Sequence, residues 1–217
     1  MPLEPAWINQ DPFFSLLHHL LQRHHPRRLK RDGFKPAAVT LLLWRMEGQP
    51  HLLLIRRSDR VRYHKGEISF PGGHKNPQDK DLSQTARRET WEEVGVPQAR
   101  MAILGRLDDA FTLSRYLVSP YVAAIPAPHP FQASAEVAEL IPLPLSRLFH
   151  PNRFSLTFRT LGEQLVPVYT YEFDHRVIWG ATARILKNFL CLLNENPDLH
   201  RLIGNNQTHG VSPQLLR

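Results

Sequence analysis

The chain has one cysteine in 217 residues. A single thiol excludes an intramolecular disulfide and makes a reducing, cytoplasmic setting the economical expectation. Cys191 lies in the apolar run Phe189 to Leu193, where a buried structural thiol is expected rather than a nucleophile. Long hydrophobic runs are also missing. Stretches such as Val39 to Trp44 are far too short to span a bilayer. The N-terminal residues include Glu4 and Asp11 and offer no apolar core followed by a cleavage site, so no secretory signal is expected. The basic run Arg23 to Arg31 leaves organellar targeting open. Internal repeats, low-complexity blocks and coiled-coil heptads are absent. Acidic residues are the minority, 20 against 27 Lys and Arg, for a net charge of +7. Such a balance suits nucleotides, polyphosphates or nucleic acid, and equally serves solubility alone.

An apolar content of 42% over this length suits one domain with a sizeable core. The chain is organised around Gly66 to Val96, which reads as a strand, a glycine turn, a loop and a helix. Asp81 with Gln84 three residues on fits a capping box. Gly95 fits a left-handed C-terminal cap, and Pro97 cannot continue the helix. Ala86, Thr90 and Val94 recur every four residues and predict a narrow inward stripe.

Glu89, Glu92 and Glu93 stand at i, i+3 and i+4, so a helix points them from one face. Three neighbouring carboxylates repel one another, and no lysine follows to pair with Glu93. The spacing alone describes many solvated acidic faces. It also describes a site for a hard divalent cation, Mg²⁺ or Mn²⁺.

The letters around these acids add more. Arg88-Glu89-Thr90-Trp91-Glu92-Glu93-Val94-Gly95-Val96 resembles the core of the Nudix signature, and Phe70-Pro71-Gly72-Gly73 stands where that family carries its glycine turn. Thr90 departs from the apolar preference of its position. Asp79 lies six residues after Gly73, one residue out of register with the signature's earlier acid. The longer loop resembles the coenzyme A pyrophosphatase branch of the family. So does the preceding stretch Leu53-Leu54-Ile55-Arg56-Arg57-Ser58 with Arg62 and Gly66, although Ile55 stands where the branch often has Thr. The two motifs together cover about a fifth of the chain.

The resemblance implies an α/β fold, a Nudix-type α/β/α sandwich with a mixed central sheet, here preceded by an N-terminal helix. It implies a metal-dependent hydrolase that splits the diphosphate of coenzyme A or its derivatives into 3′,5′-ADP and a 4′-phosphopantetheine product. Glu89, Glu92 and Glu93 are the implied ligands of Mg²⁺ or Mn²⁺. Glu93 or Glu136 is the implied base, and Arg88 would orient a glutamate. Arg57, Arg62, Gly72 and Gly73 are the implied substrate contacts. A small-molecule nucleotide is the expected partner rather than nucleic acid, no membrane span is expected, and a homodimer is compatible. Two alternatives stay open: another Nudix substrate (NADH, ADP-ribose, a dinucleoside polyphosphate, an oxidised nucleotide or a capped RNA end), or a non-catalytic nucleotide- or RNA-binding module.

The rest of the chain divides into an N-terminal helical extension (1–35), the hydrolase domain (36–196) and a polar tail (197–217). Phe13, Phe14, Leu16, Leu17, Leu20 and Leu21 give a helical apolar face, with His18, His19, His24 and His25 expected on its exposed side. Lys35–Trp44 and His51–Arg57 predict a hairpin across Glu47-Gly48-Gln49-Pro50. Met101–Arg106 and Leu117–Pro126 predict two more strands, with Asp108, Asp109, Thr112 and Ser114 between them in a substrate loop or a plain connector. Glu136 precedes a strand ending near Leu145. Phe154–Arg159 and Val166–Phe173 predict a second hairpin, and a last helix runs to about Glu195. Trp179, before it, is read as packing.

Overall fold

The computed structural model describes residues 5–61, 64–127, 129–149, 153–161 and 164–204. Two helices come first, α1 (Ala6–Gln10) and α2 (Pro12–Arg23). Asp11 separates them and caps the second. Its carboxylate accepts the Phe13 and Phe14 N–H groups at 2.9 and 3.3 Å, with Pro12 at the first helical position. The Arg45 guanidinium forks onto the same carboxylate at 2.8 and 3.1 Å, fixing the helix start to the sheet.

The strands β1 (Lys35–Met46) and β2 (Gln49–Arg57) form the expected hairpin. Glu47 and Gly48 both have positive φ, 52° and 76°, as a two-residue type I′ turn requires. Two short strands follow, β3 (Ile68–Ser69) and β4 (Gly72–His74), and then α3 (Leu82–Val94). Next come β5 (Ala102–Arg106), β6 (Ala110–Phe111), β7 (Tyr116–Ala124) and β8 (Val137–Pro144). The described chain ends with β9 (Phe154–Leu161), β10 (Gln164–Phe173), β11 (Arg176–Trp179), α4 (Gly180–Asn194) and α5 (Pro197–Leu202).

Among the described residues the main sheet runs β3-β2-β1-β7-β5, with β4 beside β1, β6 beside β7 and β8 beside β2. It is mixed. The β1–β7 pair is parallel, with Lys35 opposite Tyr116 and Leu43 opposite Ala124, whereas β1–β2, β2–β8 and β5–β7 are antiparallel. The remaining strands, β9 to β11, form a separate antiparallel sheet.

Alternation along β1 sorts its side chains between two cores. Leu41 and Leu43 join Phe13, Phe14, Leu17, Leu186 and Phe189 from α2 and α4. Leu42 and Trp44 join Leu53, Ile55, Val94 and Val96 on the α3 side. Both faces are covered, which is why β1 reads as a continuous apolar run.

Two features differ from the sequence-based expectation, and a third refines it. His18 is buried, not exposed, and its Nδ1 lies 3.0 Å from the Leu104 carbonyl oxygen. It falls in register with Phe14, Leu17 and Leu21 on the inner face of α2. That face lies directly on β5, for a Cβ on Gly105 would come within 2.6 Å of Leu21. The stretch beyond residue 196 begins as a packed helix, α5, capped by Asn196, with Leu199 and Ile203 fully buried. Lastly, Asp108 and Asp109 act as a tether. They accept the backbone N–H groups of Arg27 and Leu29 at 2.9 and 3.0 Å, so the basic connector after α2 is held to the sheet.

No described helix is long and apolar enough to cross a membrane. Because Phe13 is fully buried in the main core, Phe13→Ala should destabilise the protein by about 3–5 kcal/mol. Urea unfolding with an unchanged slope checks this; a loss below about 1 kcal/mol would mean that α2 lies outside the cooperative core.

Candidate active site

The helix α3 is built as its sequence dictates. Asp81 caps it, accepting the Gln84 N–H at 2.8 Å. The Gln84 side chain reaches back to the Lys80 N–H, also at 2.8 Å, one residue earlier than in a standard capping box. Gly95 ends the helix in the left-handed region (φ 74°) and donates to the Trp91 carbonyl. Ala86, Thr90 and Val94 are fully buried, as the stripe predicted.

Arg88 holds the exposed side of the cluster together. It forks onto Asp79, Nε to Oδ1 and Nη2 to Oδ2, both at 3.0 Å. Its Nη1 meets Glu89 Oε1 at 2.8 Å and Glu92 Oε2 at 2.9 Å, and Nη2 also donates to the His74 carbonyl at 3.1 Å. One cation therefore bridges three acids. Asp79 further accepts the Asn76 N–H and the Thr85 hydroxyl, each at 2.9 Å. The Arg88 guanidinium and these donors hold the buried Asp79 carboxyl down at a pKa of about 2, against the opposing effect of burial. The out-of-register acid is thus the anchor of Arg88.

The glycine turn meets the helix from the other side. A Cβ on Gly73 would lie 2.6 Å from the Glu89 carboxyl carbon. Burial raises the pKa of Glu89, with Arg88 opposing. Gly72 has φ 152°, and its N–H donates to Glu93 Oε2 at 2.8 Å. Arg57 Nη1 reaches Glu93 Oε1 at 3.3 Å. Burial pushes the Glu93 pKa up to about 8, and the charges of Glu89 and Glu136 add to the rise, while the Gly72 N–H and Arg57 pull against it.

Glu136 is exposed and sits next to this group through its backbone. Its carbonyl accepts the Ser58 N–H at 2.8 Å, and the preceding residues Gln132 and Ser134 donate to the last α3 carbonyls, of Val94 and Glu93. The helix end, the lead-in to β8 and the residue after Arg57 are thereby stitched together.

The structure brings Glu89, Glu93, Gly72, Gly73 and Arg57 into direct contact and sets Glu136 beside them. Glu92 is separated, its side chain 45% exposed and tied to Arg88. Arg62 lies outside the described residues. Among the described residues, no three His, Cys, Asp or Glu side chains already stand as a ligand shell; Arg57, Arg88 and the Gly72 N–H hold the carboxylate oxygens instead. The donors are all hard oxygens, the type that suits Mg²⁺ or Mn²⁺. Sequence reasoning missed Thr40, whose hydroxyl meets the fully buried Thr90 at 2.8 Å beneath the cluster. The one available signal was Thr90 itself, a polar residue on an inward stripe.

A family profile described as NUDIX domain matches residues 34–157. The uncharacterized Nudix hydrolase NudL of Photorhabdus laumondii is 36% identical over 162 residues, covering 74% of this chain and 86% of that protein. NudL of Yersinia enterocolitica is 34% identical over 175 residues, covering 80% and 89%. Among solved structures, an Ap4A hydrolase of C. elegans in a binary complex is similar at 25% identity and a TM-score of 0.42, over 49% of this chain and 78% of that one.

The buried Glu93 gives a signed pH dependence. Its folded pKa of about 8 lies above the reference 4.5, so the folded state binds the extra proton between those values. Stability of the metal-free protein should therefore fall as pH rises from about 4.5 to about 8. Glu93→Gln should flatten that fall, leaving stability near pH 4.5 unchanged and raising it above pH 8. Thermal unfolding in chelator across this range is the measurement, and an unchanged slope in the variant would contradict the assignment.

Proposed function

The chain belongs to the Nudix hydrolase family, and on that premise we propose that it cleaves the diphosphate of coenzyme A and its derivatives. Water attacks one phosphorus, the bridging P–O bond breaks, and the products are 3′,5′-ADP and 4′-phosphopantetheine or its derivative. The observation that carries the proposal is the contact between the two motifs. Arg57, from the stretch resembling the coenzyme A branch, lies 3.3 Å from Glu93 of the Nudix helix.

Glu89, Glu92 and Glu93 would hold Mg²⁺ or Mn²⁺. Burial, with the charges of Glu89 and Glu136 adding, raises Glu93 to about 8, and a divalent cation beside it relieves that cost. Glu93 and the adjoining Glu89 therefore fit such an ion, whereas Glu92 would have to leave Arg88 to join them. When bound, the ion supplies charge neutralisation of the anhydride oxygens and a water of lowered pKa.

The chain's own residues supply the rest. Arg88 fixes the carboxylates of Glu89 and Glu92 through Nη1 and is itself fixed by Asp79, so it orients acids and leaves substrate to others. The Arg57 side chain is 22% exposed with Nη1 on Glu93, so the outer part of its guanidinium would be the donor for a phosphate oxygen. Gly72 and Gly73, without a Cβ, let the turn lie against β1 and the Glu89 carboxylate, and its backbone would there meet the substrate's diphosphate beside the acids. Two groups are suited to take the proton of the attacking water: Glu93, whose pKa lies near the working pH, and the exposed Glu136 beside it. The net charge of +7 suits a substrate that carries a 3′-phosphate as well as the diphosphate.

A panel of coenzyme A, acyl-coenzyme A, NADH, ADP-ribose and dinucleoside polyphosphates, each with Mg²⁺ or Mn²⁺, should show coenzyme A compounds turned over with the highest kcat/KM by product chromatography. An enzyme that ignores coenzyme A and cuts another anhydride would overturn the substrate assignment. Glu93→Gln should lower kcat by at least about 10²-fold while the protein stays folded.

A further inference from the structure

The carboxylate helix and the glycine turn are joined a second time, beneath the site, through β1. Thr40 and Thr90 are both fully buried. The Thr90 hydroxyl lies 2.8 Å from the Thr40 hydroxyl and 2.7 Å from the Ala86 carbonyl, and the Thr40 hydroxyl lies 3.1 Å from that same carbonyl. Two hydroxyl protons thus serve a triangle of three oxygens that ties β1 to the middle of α3. The backbone N–H of Thr40, in turn, donates to the Pro71 carbonyl at 2.8 Å, immediately before Gly72.

One residue therefore contacts both halves of the site. Its amide holds the turn that offers the Gly72 N–H to Glu93, and its hydroxyl holds the helix that carries Glu93. Thr90 stands between Glu89 and Glu93 on that helix, and its bond to the carbonyl four residues back bends a helix locally. A valine at either position would fill nearly the same space without any directional bond.

We propose that Thr40 and Thr90 are positioning residues, which set the spacing between the glycine turn and Glu89 and Glu93 and so the geometry in which those carboxylates work. The inference rests on the reading of these acids as the hydrolytic site. The two residues touch no substrate. They act through the register of α3 on β1.

The test compares Thr40→Val, Thr90→Val, the double variant and Thr90→Ser with the wild type. It measures kcat and KM on an anhydride that the wild type cuts, well below each unfolding midpoint, and Mn²⁺ binding by loss of the free-ion EPR signal. Each valine variant should lose about tenfold in kcat with KM within about twofold, because small misplacements of reacting groups are felt steeply. Mn²⁺ affinity should weaken several-fold alongside. The double variant should lose little more than the worse single, as partners in one network do. Thr90→Ser, which keeps the hydroxyl, should restore kcat to within about threefold of wild type. Should a valine variant not fold, Thr90→Cys takes its place, with the same loss expected from its weak donor. Wild-type kcat and Mn²⁺ binding in the valine or cysteine variant, or a loss shared equally by Thr90→Ser, would overturn the proposal. A wild type that cuts no anhydride would instead sink the hydrolase reading, and the Mn²⁺ arm alone would then decide this one.

Discussion

The close approach of a glycine turn to a helix of acids is the constraint on which this site depends. A Cβ on Gly72 would sit 2.4 Å from the Ala38 carbonyl oxygen and 2.6 Å from the Val39 Cα, and a Cβ on Gly73 would sit against the Glu89 carboxylate. The turn is therefore pressed onto β1 on one side and beneath α3 on the other. Only two consecutive residues without side chains fit that gap. The reward of the fit is one hydrogen bond, from the Gly72 N–H to a buried carboxyl that has only the longer Arg57 contact besides it among the described residues.

The rest of the fold keeps that gap constant. β1 is the strand against which the turn rests, and it pairs with β2, β4 and β7. Its other face is covered by α2 and α4, whose large buried side chains leave little freedom for movement. At its far end α3 is held by the 132–134 segment, which takes up its last two carbonyls and delivers Glu136. Arg57, the glycine turn, the end of α3 and the start of β8 thus converge without any one of them being long or regular. This is how a fold with a rigid sheet places chemistry on its connecting segments.

Much of this was legible in the sequence, and the exceptions have physical causes. The helix was readable end to end, because Asp81, Gly95 and the 86-90-94 stripe are local signals with local causes. Strand parity also puts Arg57 on the face of Leu53 and Ile55, the face that α3 covers. The spacing of Glu89, Glu92 and Glu93 named the right face but did not separate its members. Whether an acid lies under a turn or beside an arginine is set by tertiary contacts, and here it buries Glu93 and leaves Glu92 half out in solvent. His18 lies inside because its register with Phe14 and Leu21 sets its side of the helix, histidine being a type of intermediate burial that does not decide the matter by itself. Asn196-Pro197 with Leu199 and Ile203 carried the start signal and inward spacing of α5, but six residues make a weak periodic pattern. Thr40 had no local signal at all, since its partner is fifty residues away.

Two buried acids within this site carry opposite charges of meaning, and their environments explain why. Asp79 meets a forked guanidinium, a backbone N–H and a hydroxyl, so its ionised form is favoured and its pKa lies near 2. Glu93 is raised first by burial and then by the fields of Glu89 and Glu136, with only one N–H and a longer contact to Arg57 opposing, so its neutral form is favoured up to about 8. The first is charged at any working pH and can serve only as a fixed post for Arg88. The second holds its proton by a margin small enough for a nearby positive charge to remove it. Environments that push two carboxyl groups so far apart suit them to different work: structure for one and, on the proposed reading, cation or proton traffic for the other. The glycine turn contributes to that division, since Glu93 takes its N–H donor from Gly72 and, among the described residues, pairs with the single cation Arg57.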